Sequence, residues 1–507
     1  MPLDVDIPPN RSQRLIDEEL FSSEMRALQL KTERNACAEI SKLPEDVLGE
    51  IFTILANSCP LKSWFRINLV CRHWRETALA TVALWTKPPT HHHDLTLLML
   101  ERSKMADLHI NIGPKTSPTT LTALLSNIGR FHTLYMVEHA DFVHAMGVLK
   151  SLRRQISRLQ QLEIYFLDGF LRETSSASSI ALRQFDWEVL PLPNLTHLSL
   201  QAILLPSPIS VQYLLQTLHD MPNLKSLKLC SDIIAHHHSP LASNHLKGFQ
   251  LPHLLSFQIR WRVTHHQVIY LLSYLHLPRL SYLNISCISN EDMHADGDSD
   301  CSSFMRAALF TVSSGDFSTC DTLVLCSDHW FHLIPRQYSG SFKFLSKGLV
   351  INFSDYAGFN ASTQHFTLEV VAALNDQILS HLVKLELYDS QPPVDEILRL
   401  FGRLPNLECI EIDPSDIVTL IKGLSIPLDH PPRTPLRIFP KLKEITLTYV
   451  RRADPQMIQA FCDSLKARYH FGAPIQKLFV DTSSVLESSV LHSLEEIGVE
   501  VLDISES

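Results

Sequence analysis

The sequence predicts an α/β protein with two parts: a small all-helical module near the N-terminus and a long array of strand–helix repeats after it. Three observations predict this class. Residues 40–85 place Leu, Ile, Val, Phe and three Trp in one short apolar segment. From about residue 103 onward, a short apolar phrase keeps returning. Between these phrases the apolar spacing changes from two residues to 3.6, which is typical of strands that alternate with helices.

Composition places the chain among ordinary folded proteins. Of its 507 residues 45% are hydrophobic and 19% charged, which excludes wholesale disorder. The net charge of -10 argues against a nucleic-acid partner, because neutralising phosphates needs a basic surface. No apolar run approaches the roughly 18 residues of a membrane-spanning helix. We therefore expect a protein that binds neither nucleic acid nor membrane.

The cysteines and the first residues predict a location. The ten cysteines are scattered without a CxxC pair, and several stand in apolar runs, where a buried free thiol is usual. The opening MPLDVDIPPNRS is acidic and interrupted by proline, unlike a secretory leader. We expect a reducing compartment, so an intracellular protein in the cytoplasm, the nucleus or both.

Residues 12–39 are predicted to form an N-terminal amphipathic helix. The segment is rich in charge and places Phe21, Met25 and Leu28 on one helical face. We expect this face to pack on the module that follows. The alternative is a partner-binding coiled coil, for which the segment offers few heptads.

Residues 40–90 are predicted to form a module of three short helices. Pro44 can open the first helix, and two acidic residues follow it in the first turn, where negative charge suits the helix dipole. A second apolar helix is expected from about Leu61 to Val70, and a third from about Arg72. Such a small unit has a marginal core and often needs a partner for stability.

The module contains, in order, Leu43 and Pro44, Val47 and Leu48, Ile51 and Phe52, Val70 to Arg75, and Leu84 and Trp85. This order of residues resembles the F-box family. The family pattern has a Leu-Pro opening, an Ile/Val-Leu pair, an Ile-Phe pair, a Val-Cys-Arg-x-Trp-Arg stretch and a closing Leu-Trp. The segment ANSCPLKSWFRIN (56–68) departs from it, because it is longer than usual and has LKSWF in place of an Asp-Leu-Leu helix start.

The resemblance implies that the module docks onto the Skp-type adaptor of a cullin–RING ubiquitin ligase. The chain would then be the substrate receptor of an SCF-type ligase, with the repeat array binding a protein target. Pro44 and the pair Ile51 and Phe52 are the favoured interface residues. The alternative is a ligase-independent scaffold in which the F-box-like unit caps the array. Carried over by position, adaptor binding and the module's own core would share Leu43, Pro44, Val47, Leu48, Ile51, Phe52, Leu69, Val70 and Trp74.

Residues 100–507 are predicted to form the repeat array. A degenerate copy, GLVINF (348–353), fills the long gap between Leu325 and Leu387. Weaker copies read FHTLYM (131–136), LQQLEI (159–164), CDTLVL (320–325), HLVKLEL (381–387), IQKLFV (475–480) and VEVLDI (499–504). The clearest copies are LPNLTHLSL (192–200), MPNLKSLKL (221–229), LPHLLSFQI (251–259), LPRLSYLNI (277–285), LPNLECIEI (404–412) and FPKLKEITL (439–447).

Apolar stripes at helical spacing stand between the phrases, over 121–128, 211–218, 268–275, 394–401 and 458–465. The alternation resembles the leucine-rich-repeat family. It implies a horseshoe-shaped solenoid with a parallel sheet on its concave face. The Asn or Cys that the family has three positions after the last strand leucine is absent, so we expect irregular turns.

Residues between the strand leucines are expected to face outward on the sheet. They are mixed in charge and include Tyr and Arg, which are favoured as interface anchors. The candidate target-binding residues are Tyr135, His197, Lys228, Arg260, Arg262, Tyr282, Lys443 and Lys477.

No local motif predicts an enzyme. Only 15 Gly are present, without GxGxxG, GxxxxGK[ST] or GxSxG. The histidine runs 91–93 and 236–238 cannot turn every ring to one ion, and HExxH is absent. The acidic stretch 290–300 lacks the Gly and final Glu of a calcium loop. We expect no catalytic residue, no cofactor and no metal ligand.

Overall fold

In the computed structural model of this protein, the first unit is Met1–Tyr135 and the second is Met136–Ser507. The module predicted over 40–90 lies inside the first unit, which extends beyond the expected boundary near residue 100. The structure describes residues 11–138, 158–166, 192–201, 211–230, 249–261, 271–288, 307–308, 311, 317, 320–326, 330–334, 348–354, 376–388, 394–412, 417–424, 438–448, 455–480, 492 and 494–503.

The first unit is mainly helical. Short 3₁₀ turns cover Glu39–Lys42, Phe65–Leu69, Val82–Trp85 and Ile128–Arg130. Its longer elements are α1 (Arg11–Ala36), α2 (Glu45–Ser58), α3 (Leu61–Trp64), α4 (Arg72–Ala80), α5 (His93–Arg102), β1 (Leu108–Ile112), α6 (Pro118–Leu125) and β2 (Phe131–Glu138), whose last residues reach the second unit.

Helix α1 forms as expected, but it does not pack on the module. None of its residues is buried, and the Phe21 side chain is 67% exposed. The apolar residues of α1 are divided between two opposite sides of the helix, since Leu30 lies about 180° from Phe21 around the helix axis. No single face can therefore bury them all.

The core of the helical module continues past residue 90. Met99 of α5 is fully buried in the same cluster as residues of α2 and α4. Trp85 lies between these elements: its indole N–H donates to the Ala78 carbonyl at 3.0 Å, and the Arg102 guanidinium lies 4.5 Å from its ring centre. The buried residues of this core are Leu48, Phe52, Trp64, Ile67, Ala78, Leu84, Trp85 and Met99.

The second unit is strand-rich. Its described helices are α7 (Val211–His219), α8 (Asp376–His381), α9 (Val394–Phe401), α10 (Ile417–Leu424) and α11 (Pro455–His470). Its described strands are β3 (Gln161–Phe166), β4 (His197–Gln201), β5 (Ser226–Cys230), β6 (Phe249–Gln250), β7 (Ser256–Trp261), β8 (Leu275–His276), β9 (Tyr282–Ile288), β10 (Thr322–Cys326), β11 (Trp330–Ile334), β12 (Gly348–Ser354), β13 (Lys384–Tyr388), β14 (Cys409–Ile412), β15 (Glu444–Leu447), β16 (Lys477–Val480) and β17 (Glu500–Asp503).

Every predicted phrase contains a strand, and the leucines of neighbouring phrases stand side by side. Leu198 of β4 is opposite Leu227 of β5, which in turn is opposite Phe257 of β7. All three are buried. Within this unit the strand order is β3-β4-β5-β7-β9-β12-β11-β10-β13-β14-β15-β16-β17, and β6 pairs separately with β8.

A repeated turn leads into the strands. In LPNL the Leu195 amide donates to the Leu192 carbonyl, and Pro193 has the fixed φ that suits the second position of such a turn. The Asn223 side chain donates to the Pro193 carbonyl of the preceding turn at 3.0 Å. This Asn bond ties one turn to the next, although the Asn that the leucine-rich-repeat family has elsewhere is missing.

The sheet is not uniformly parallel. Strand β11 is antiparallel to both β10 and β12, whereas β12 pairs in parallel with β9 and β10 with β13. The cause is the length of one connection. Only residues 327–329 separate β10 from β11, and a parallel crossover needs about a dozen residues. The expected all-parallel sheet is therefore corrected to a mixed one, and GLVINF forms β12, the parallel neighbour of β9.

Candidate functional site

A line of apolar side chains on the helical module stays exposed beside a filled core. Val47, Ile51, Ile54 and Leu55 of α2 recur at spacings of three and four residues, so they share one helical face. We call these four residues the α2 stripe. The Ile51 side chain is 41% exposed and that of Ile54 59%. Exposed apolar residues in such a row mark interaction surfaces.

The opposite side of α2 faces the core. Leu48 directly follows Val47 in the sequence and Phe52 directly follows Ile51, and both Leu48 and Phe52 are buried. The Phe52 ring lies 5.1 Å from the Trp74 ring, centre to centre. Gly49 lets α2 approach the end of α4, because a Cβ there would lie 2.8 Å from the Thr81 hydroxyl. The module thus separates a buried and an exposed apolar face on one helix.

The predicted adaptor-binding residues divide between the two faces. Phe52, favoured for the interface, belongs to the core instead, because its side chain is fully covered by the module itself. Leu48 lies in the same core. Leu43 and Trp74 are half-buried, and the exposed members of the set are Pro44, Val47, Ile51, Leu69 and Val70.

The segment that departs from the F-box pattern builds the core. Residues LKSWF form α3 and the start of the next 3₁₀ turn. Trp64 is buried, and its ring centre lies 5.9 Å from that of Trp85, while the Phe65 ring lies 6.2 Å from Trp85. The longer connection therefore supplies two aromatic side chains that fix the closing Trp.

Ile54 and Leu55 were missing from the predicted interface set. The signal was present in the sequence, since they continue the spacing of Val47 and Ile51 by three and four residues. The family pattern does not name these positions, and spacing alone does not say which of two adjacent apolar rows is buried.

The predicted target-binding residues are placed less uniformly. His197, Lys228, Arg260 and Lys477 alternate with buried strand residues and lie on the polar face of the sheet. Partial burial lowers the pKa of His197, nearby Lys225 lowers it further, and Glu163 opposes them. Tyr135 of the first unit is half-buried on β2.

Of the remaining three candidates, two are not exposed on the polar face of the sheet as predicted, and one lies outside the described residues. Tyr282 is only 4% exposed, because it packs with Val324, Ile334 and Val350. These residues form a small apolar cluster on the side of the sheet that otherwise carries polar side chains. Lys443 stands directly before β15 and is not part of the strand, and its ammonium lies 3.0 Å from the Glu408 carboxylate. Arg262 lies outside the described residues.

A half-buried ion network crosses β13 and β14 on the polar face. The Lys384 ammonium lies 2.8 Å from the Glu386 carboxylate and 2.7 Å from that of Glu411. The Tyr388 hydroxyl donates to the Glu411 carboxylate at 2.7 Å and lies 3.2 Å from the Glu386 carboxylate. Burial would lower the pKa of Lys384, but the two carboxylates raise it overall. Burial and the same carboxylates raise the pKa of Tyr388, so its phenol stays protonated.

Replacing Lys384 by Met is expected to lower the free energy of unfolding of the second unit by about 1–2 kcal/mol. The reason is that Glu386 and Glu411 are register partners and would then face each other without a cation. Chemical denaturation measures the change. Adding Glu411→Gln to the Lys384→Met variant should cost less than Glu411→Gln alone, and additive costs would contradict the network.

The described ranges lack two further kinds of feature, a metal-binding cluster and a membrane-spanning helix. No group of three or more His, Cys, Asp or Glu side chains there is arranged to hold a metal ion. Among the helices of that same part of the chain, none combines the length and apolar character needed to cross a membrane.

Comparison with known proteins identifies one domain. The family model described as F-box-like matches residues 40–89. No curated protein matches the chain. Among solved structures, a crystal structure of a protein from Bacteroides fragilis aligns with 76% of this chain and 70% of its own at 11% identity, with a TM-score of 0.26. The first unit of this chain therefore contains an F-box-like domain, and domains of that kind generally bind Skp-type adaptors.

Proposed function

We propose that this protein is the substrate-recognition subunit of an SCF-type cullin–RING ubiquitin ligase. The helical module binds the Skp-type adaptor, and the second unit binds a protein target. The observation that supports this proposal is the exposed α2 stripe on an F-box-like domain whose core is filled without it.

The adaptor interface is centred on the α2 stripe. Covering an apolar side chain stabilises a complex by about 25 cal/mol per Å² of area removed from water. Leu69 and Val70, at the turn that leads into α4, add exposed apolar area. Pro44 stands directly before α2 and is exposed, so it can join the same interface. The contact between the Phe52 and Trp74 rings on the buried side of α2 fixes the position of the helix that carries the stripe.

The receptor acts by proximity. Holding a target beside a ubiquitin-loaded enzyme raises the effective concentration of the target lysine, and no group of the receptor needs to react. The polar face of the sheet is the surface that we assign to the target. Lys228 and Arg260 lie on adjacent strands β5 and β7, so a target segment with carboxylates fits there.

Replacing Ile51 by Asp is expected to abolish adaptor capture while leaving the module folded, because the side chain is exposed and a charge there stays unpaired in the interface. The measurement is co-purification of purified Skp-type adaptor with the full chain. Leu97→Asp on α5 is the matched control: Leu97 is 43% exposed against 41% for Ile51, and it lies outside the stripe. Equal capture by wild type and both variants, or none by any, would overturn the proposal.

A ligase-independent scaffold is the second candidate, and one observation favours it. Met99 of α5 belongs to the module core, as an end cap integrated into its unit would require. A folded wild-type chain that captures no adaptor would support this function. A truncation that separates the two functions must not cut the chain at residue 90. Such a cut would divide the module core, because Trp85 and Met99 are buried in the same cluster.

A further inference from the structure

We propose that α1 pairs in antiparallel orientation with α1 of a second copy of this chain. This inference goes beyond the adaptor and target contacts, and it does not depend on them. It rests on the exposure of one apolar row of α1 and on the placement of charges beside that row.

The apolar row consists of Phe21, Met25 and Leu28, and Thr32 continues it. These residues recur at spacings of four, three and four, the seam of a two-stranded coiled coil. The three apolar side chains are all more than half exposed. A helix of 26 residues that buries none of them has little tertiary support, and isolated helices are only marginally stable in water. A covering partner would supply that support.

The flanking charges select the partner and its direction. With Phe21 and Leu28 at the d positions, Glu24 and Lys31 both fall at g. In an antiparallel pair each g position faces a g position of the other helix. When Met25 of one copy layers against Leu28 of the other, Glu24 faces Lys31 across the interface, and the two-fold axis repeats this pair.

A parallel pair lacks this complementarity. There each g position faces an e position five residues further along the other helix. Glu24 would then meet Gln29, and Asp17 would meet Ser22, so no ion pair forms. Because one helix supplies both members of each complementary pair, a second copy fits better than an unrelated helix.

The association state of the full chain tests the proposal. Sedimentation equilibrium over about a hundredfold range of concentration should show a mass that rises from 57.6 kDa toward twice that value. Leu28→Glu should keep the chain monomeric. Leu30→Glu is the matched control, because Leu30 is exposed on the same helix but points away from the seam, and this variant should still dimerise.

Charge exchange tests the direction. Glu24→Lys and Lys31→Glu should each weaken the dimer by roughly tenfold, and the double variant should restore it. Circular dichroism confirms that the helix persists in each variant. A monomeric wild type, a double variant no better than the single ones, or disruption by Leu30→Glu instead of Leu28→Glu would each overturn the proposal.

Discussion

Replacing Phe52 by Ala is expected to lower the free energy of unfolding of the first unit by about 3–5 kcal/mol, the usual cost of truncating a buried Phe. The ring is 1% exposed and packs on Trp74 beside the aromatic group around Trp85. The cavity left by the missing ring would deprive the surrounding core side chains of van der Waals contacts on every side. Since whole domains are stable by only about 5–15 kcal/mol, a large fraction of the module's stability would be lost.

Thermal unfolding followed by tryptophan fluorescence measures this loss, because three Trp lie in or against the module core. Ile51→Asp provides the contrast, since it changes the neighbouring residue on the exposed side. We expect the first variant to melt early and the second to melt normally while losing adaptor. If Phe52→Ala melted like wild type and only failed to bind, Phe52 would be an interface residue after all.

Replacing Arg468 by Ala is expected to destabilise the second unit by about 3 kcal/mol. Arg468 of α11 is 1% exposed and donates to the Phe439 carbonyl at 2.8 Å and to that of Ile438 at 3.3 Å. Burial lowers the pKa of Arg468 to about 10, so it remains charged at neutral pH. Without the guanidinium, each carbonyl loses a hydrogen bond from a charged donor, at about 1.5–3 kcal/mol per bond, although the Phe439 carbonyl still accepts from the Leu442 amide at 3.4 Å.

The affected turn is strained. Phe439 has a φ of +48°, which is uncommon for a residue with a bulky side chain, and the turn leads directly into β15. Urea denaturation of the full chain measures the change. Arg468→Lys should recover only part of it, because one ammonium cannot reproduce the geometry of the planar fork. An unchanged urea midpoint for the Ala variant would show that the bonds contribute little.

The repeat phrases were readable from the sequence because their signal is local. A strand needs only alternating apolar residues, and the turn before it needs Pro or Asn at fixed places. The reversal of β11 was not predicted. WFHLI has the composition of a strand, but its direction follows from the short connection to β10 and from antiparallel pairing with β12, which itself pairs with the much earlier strand β9. Pairing between strands so far apart in the sequence is a property of the whole sheet.

The candidate site shows the same division. The F-box-like residue order and the helical spacing of Val47, Leu48, Ile51 and Phe52 were determined by the sequence itself, because both follow from residue type and position. Which of the two rows is buried was decided only by the tertiary structure. Leu48 and Phe52 face inward because Trp64, Trp74 and Trp85 fill the space behind them, and the α2 stripe stays exposed because no side chain of the module covers it.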